Sequence, residues 1–205
     1  MKNPWEGIPL TDYENHMKLD SVMQLQTMNE MMKGQFDAYS ISSVMILGIA
    51  GGNGLEHIQR DKFKKVYGID VNASYLKEAV LRYPELEGLL ECRCINLTEE
   101  TNQLPKADLV IANLLIEYIG YERFQKVINH VSPKYVSCII QLNLEGSWVS
   151  DSPYLHTFDG LEQVHQQIEE HALEKAMLEI EYRSIKTLER ILPNGKKLVQ
   201  IDFER

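Results

Sequence analysis

Basic charge, long apolar runs and a cysteine framework are what this chain lacks. Its 205 residues carry 21 Lys and Arg against 30 Asp and Glu, a formal net charge of −9. A nucleic-acid backbone calls for a concentrated basic surface, and none is visible, so nucleic acid is not expected as the partner. No apolar run reaches the length of a membrane span, and the opening MKNPWEGIPLTDYENHM is polar and broken by Pro4 and Pro9, unlike a signal peptide. Neither a membrane nor a secretory route is therefore expected. Three cysteines make no disulfide framework. Cys92 and Cys94 stand two apart in an expected strand, hence on one face, and no further Cys or His pair has zinc-ligand spacing. They read as buried thiols in a reducing cytoplasm, with no metal.

What is present is an ordinary globular composition, 44% hydrophobic and 25% charged, long enough for one domain with a full core and some embellishment. The chain is organised around residues 44–54, VMILGIAGGNG. Val44, Met45, Ile46 and Leu47 form the short continuous run of a strand buried on both faces. Gly48, Ala50, Gly51, Gly52 and Gly54 then keep the backbone nearly bare, so it can turn sharply with its amides exposed. Residues 55–60 are expected to open a helix, whose unpaired N-terminal amides would face the same space. A second apolar run, VYGID, ends in Asp70 about twenty residues beyond the glycines, where a carboxylate can reach a ribose diol. The plainer alternative is a tight turn, with Asp70 only capping the helix expected over residues 72–83.

Taken together, these residues resemble motif I and the following acidic residue of the class I S-adenosylmethionine-dependent methyltransferases. Two positions depart from that pattern: Ile46 stands where many members carry an acid, and Ala50 replaces the second glycine of GxGxG. The resemblance implies an α/β fold, a doubly wound, mostly parallel sheet of seven strands with a C-terminal antiparallel hairpin. It covers residues 43–205, with residues 1–42 as an N-terminal helical cap. It also implies S-adenosylmethionine as cofactor, held by Gly48, Ala50, Gly51, Gly52, Gly54, Asp70 and Val71. Asn96 would meet the adenine amino group, Leu97 would cover the ring, and Asn113 would lie near the methyl group.

The rest of the chain supplies elements around this centre. Thr11 and Glu14 have capping-box spacing for a first cap helix, and Val22, Leu25, Met28, Met32 and Phe36 make the apolar stripe of a second. Further strands are expected at 89–97, 107–112 and 135–143, and helices at 121–130 and 161–176. Asn194-Gly195 between two alternating runs is a hairpin signal. Such a hairpin favours the methyltransferase fold over a dehydrogenase, which would end on another parallel crossover.

No residue declares itself as the catalyst. By the resemblance Tyr13, Glu14 and His16 of the cap would line the acceptor side, and Leu114, Glu117 and Tyr118 would lie near the chemistry. Asn143, Trp148, Tyr154 and His156, in a long loop after the fifth strand, are candidate acceptor contacts. By the same resemblance, Asn113, Leu114, Leu115 and Ile116 in place of an Asn-Pro-Pro-Tyr-like tetrapeptide count against a nucleobase or amide acceptor, and the acidic charge and the insertions favour a small metabolite. Two other functions use the same cradle: an NAD-dependent oxidoreductase, and a non-catalytic S-adenosylmethionine-binding regulatory protein.

Overall fold

The alternation of side chains along the first strand divides the molecule into layers. In the computed structural model, which describes residues 3–143 and 148–205, the run at 44–47 forms β1 (Ser43–Leu47). Val44 and Ile46 point to one side of the sheet, Met45 and Leu47 to the other, and all four are buried. β2 (Lys65–Asp70), β3 (Leu90–Cys94), β4 (Leu109–Asn113) and β5 (Tyr135–Leu142) pair in parallel around it. β6 (Arg183–Ile191) and β7 (Lys197–Glu204) close the sheet antiparallel, in the order β3-β2-β1-β4-β5-β7-β6. The doubly wound sheet of seven strands and its terminal hairpin are as the sequence implies.

The hairpin turn runs through Asn194, whose side chain accepts from the Lys196 N–H at 3.0 Å, and Gly195 at φ 79°. β7 lies inside the sheet and is buried, including its polar Gln200 and Asp202, whereas β6 is a charged edge strand. Charge on an edge discourages pairing with other chains.

Two helices precede β1: α1 (Leu10–Met17) and α2 (Gln24–Asp37). Met28 and Met31 of α2 pack towards Ile139 and Leu198, while Met32 and Phe36 join Val44, Ile46, Leu109 and Ile111 on the sheet. The methionine stripe is therefore core. α3 (Ala73–Arg82) lies on that same face, capped by the Asn72 side chain, which accepts from Ser74 N–H. α4 (Ile116–Val131) and α5 (Glu170–Glu179) cover the opposite face.

Four local expectations need correction. No α-helix follows the glycine turn: only a 3-10 turn, Leu55–His57, forms before the chain returns to β2. The reason is tertiary, because Met32 of α2 sits against Gly54 and fills the sheet face that such a helix would cover. The helix expected from residue 161 begins only at Glu170, since the Gln166 N–H is drawn to Glu117 O at 2.7 Å and His165 stacks on Trp148. α1 starts after Pro9 without a side-chain cap; the capping box is formed instead by Asn3 and Glu6, on the separate 3-10 turn Pro4–Gly7. Of the three thiols only Cys138 is buried, and Cys94 is exposed because β3 is an edge strand.

Candidate functional site

Three side chains on β2 and α3 hold the glycine turn and the cap together. Gly48 and Ile49 donate to Ile69 O, and the backbone then turns left-handed at Gly48 (φ 70°), Ala50 (φ 48°) and Gly52 (φ 86°). Ala50 N–H donates to Asp70 Oδ2 at 2.9 Å, and Asn72 N–H to Asp70 Oδ1 at 2.9 Å. Asp70 is 9% exposed; burial raises its pKa, against the backbone donors from Asn72, Ala50 and Val71. Each carboxylate oxygen keeps a lone pair for a further donor. Asn72 Nδ2 donates to Trp5 O and Tyr75 OH to Ile8 O, fastening residues 5–8 across the mouth of the turn.

A hollow of about 680 Å³ opens beside Gly48 and Asp70. Val71, Ile95 and Leu97 give it apolar walls, with Asn96 and Tyr118 among its polar ones. The Asn96 amide oxygen accepts from both Thr98 N–H (3.1 Å) and Thr98 Oγ1 (2.8 Å), so in this conformation it is the Asn96 amide nitrogen that stays free to serve a ligand. Ala50 and Asn113 line a narrower extension of about 70 Å³. The Asn113 amide there is paired on both atoms with Gln35 of α2, at 3.0 and 2.9 Å. Not all the glycines reach this space. A side chain on Gly52 would meet Leu55 and Tyr83, one on Gly54 would meet Met32, and Gly51 lies beneath the Glu14–Arg82 ion pair.

Behind the extension lies a second cavity of about 70 Å³, and Trp5 and Tyr118 line all three spaces. Trp5 stands edge-on to Tyr118 (centroids 4.9 Å, 89°) and to Tyr13 (5.6 Å, 88°). Tyr13, His16, Glu117 and Trp148 meet on its wall. Glu14 instead faces Arg82, and His156 is exposed beside Asp159, outside the cavity. Asn143 accepts from Gln141, and Tyr154 packs among the aromatic residues beneath the cavity.

Glu117 sits in the first turn of α4, just before Gly120, where φ 75° breaks the helix. It is 4% exposed; Oε1 accepts the Gln141 N–H at 2.9 Å, and Oε2 is buried with no partner among the described residues. Burial pushes its pKa up to about 7. His16 Nδ1 lies 2.7 Å from Ser152 Oγ, and burial, aided by Lys196, lowers its pKa. Tyr13 and Tyr118 are raised by burial and stay protonated. Leu114, at the end of β4, is held at φ 53° with its N–H on Ile139 O, a strained backbone between the two cavities. Among the described residues no group of His, Cys, Asp or Glu could hold a metal ion.

Gln141 and His165 are wall residues that sequence reasoning missed. Gln141 had a signal, a polar side chain late in an otherwise apolar strand. His165 had none, because its place depends on a helix that fails to start.

The fold, a seven-stranded sheet closed by an antiparallel terminal hairpin, is shared with solved methyltransferases. Among solved structures, the N-methyltransferase NodS from Bradyrhizobium japonicum WM9 superposes with a TM-score of 0.63 at 12% identity, over 91% of this chain and 99% of that one. Magnesium protoporphyrin IX methyltransferase (ChlM) from Synechocystis PCC 6803, with bound SAM, gives 0.59 at 13%, over 89% and 78%. The [4+2]-cyclase SpnF gives 0.67 at 8%, over 90% and 82%. No protein-family model matches the chain, and no curated protein matches it in sequence.

Proposed function

We propose that the protein binds S-adenosylmethionine in the hollow beside Gly48 and Asp70 and transfers its methyl group to a small acceptor in the adjoining aromatic cavity. The observation that carries this reading is the shared wall: Trp5 and Tyr118 line both the hollow next to Asp70 and the cavity that holds Glu117. The residues present fit the cofactor. Asp70 retains an acceptor on each oxygen for a ribose diol, Val71 and Leu97 offer apolar contact to a ring, and the Asn96 amide nitrogen can donate to a ring nitrogen. When bound, the sulfonium supplies an already activated methyl group, which leaves the protein to align and shield the partners. Trp5 and Tyr13, fastened through Asn72 and Tyr75, would exclude water from the junction. Glu117 is the side chain placed to take a proton from an acceptor.

Calorimetry with S-adenosylhomocysteine and with NAD tests the cofactor. Tight binding of the first and none of the second is expected, and the reverse would return the oxidoreductase reading. Counting tritiated methyl groups transferred into a metabolite mixture tests the reaction. A second reading, a different reaction or a purely binding role, is favoured by one observation: the same fold is found in a cyclase. Cofactor affinity without any methyl acceptor would support it. Cytoplasmic residence belongs to the main reading; no helix among the described residues is long and apolar enough to cross a membrane.

A further inference from the structure

Resting on the cofactor reading above, we propose that the cavity behind Trp5 and Tyr118 takes a small primary or secondary amine as methyl acceptor, bound as its ammonium against Glu117. Glu117 is the one carboxylate among the described residues of the wall, and its Oε2 has no donor among them. A buried carboxylate oxygen without a partner is unfavourable, and an ammonium N–H would satisfy it with a charge-assisted bond. No Lys or Arg is among the described residues of the wall, so an acidic or phosphorylated acceptor would find Glu117 and no counter-charge on that wall.

The remaining walls suit a cation. Trp5, Tyr13, Tyr118, Trp148 and Phe158 surround the space, and aromatic faces attract a cation within about 6 Å. The other titratable groups nearby are His16, His165 and Lys196. Burial lowers the pKa of both histidines and so favours neutral imidazoles; burial also lowers that of Lys196, to about 8, and its amine is turned to Trp148 O, off the cavity wall, so at pH 8 only part of its charge is left to oppose an ammonium. A volume of about 70 Å³ has room for about five water-sized groups, which limits the reacting end to a small head.

In the reaction the ammonium proton passes to Glu117 Oε2. The freed nitrogen lone pair forms the new N–C bond as the methyl carbon's bond to sulfur breaks, its electron pair remaining on sulfur as a neutral thioether. The product is the N-methylated ammonium. An alcohol also offers a donor, but its proton is held too tightly for a carboxyl base of this kind.

The test uses the full chain in amine-free buffer at pH 8. Calorimetry compares ethylamine, pyrrolidine and benzylamine with ethanol, benzyl alcohol and benzoate, with and without S-adenosylhomocysteine, beside a tritiated methyl-transfer assay. Amines are expected to bind at least tenfold more tightly than alcohols or benzoate and to collect the label. Glu117→Gln should lower amine affinity at least tenfold and leave S-adenosylhomocysteine affinity unchanged. Should Glu117→Gln not fold, Glu117→Asp, which draws the carboxylate back by one methylene, is expected to weaken amine binding by a smaller factor. Amines that do not bind, alcohols or benzoate that bind as well, or variants with wild-type amine affinity would each overturn the proposal. Failure of S-adenosylhomocysteine to bind while amines still bind through Glu117 would remove the cofactor reading, and with it the acceptor role, but leave the amine site.

Discussion

Ala50 donates its backbone N–H to the Asp70 carboxylate at 2.9 Å, so the residue best placed for a ribose is also the one that shapes the turn beneath it. Asp70→Ala would leave the amides of Ala50 and Asn72 without their acceptor. A stability loss of about 1–3 kcal/mol is expected, together with weaker S-adenosylhomocysteine binding. Denaturant midpoints and calorimetry separate the two effects. A midpoint equal to wild type would remove Asp70 from the framework of the turn.

The left-handed conformation of Ala50 (φ 48°) is a strain that glycine would not feel. Ala50→Gly is expected to be neutral or to stabilise by up to about 1 kcal/mol, the relief being partly offset by the extra entropy of glycine when unfolded. A β-branched residue there should destabilise instead. Thermal midpoints of Ala50→Gly and Ala50→Val would order the two.

Glu117 gives the molecule an unusual pH dependence. Its carboxyl titrates at about 7 in the fold against 4.5 when unfolded, so between those values the native state binds more protons than the unfolded one. Stability from this group is present in full below about pH 4.5 and is lost as pH rises through about 7. The loss amounts to about 3 kcal/mol at most. Glu117→Gln, which carries no charge, should flatten that decline and be the more stable protein at pH 8. Urea melts of both proteins from pH 5 to 8.5 would check it, and parallel curves would mean that Glu117 ionises normally.

Gly120 breaks α4 at φ 75°, and a side chain on it would come within 3.0 Å of the Gln166 amide. Gly120→Ala should cost roughly 1–2 kcal/mol, chiefly from backbone strain. It should also disturb the segment that brings His165 onto Trp148, which tryptophan fluorescence would register. An unchanged spectrum and melt would mean that the break in α4 is not needed to position residues 164–166.

The parts of this arrangement that were legible in the sequence are those written in local pattern. The apolar run before Gly48, the carboxylate ending the next strand and the Asn194-Gly195 turn each carry their own signal, and the seven-stranded sheet is implied by the family that these residues resemble. The cap residues Tyr13 and His16 reached the cavity through a family resemblance that no periodicity supplied. What stayed hidden depends on contacts between distant segments. Gln35 occupying the amide of Asn113, Met32 displacing a helix after Gly54, and Glu117 drawing Gln166 out of a helix are all choices made in three dimensions. Local propensity is overridden at such places.

One consequence follows from α2 lying where a crossover helix would lie. Met32 and Phe36 form the lid over Val44, Ile46, Leu109 and Ile111. A truncated chain beginning at β1 would bare a greasy flank of the sheet to water, and the segment that holds α2 is therefore part of the scaffold.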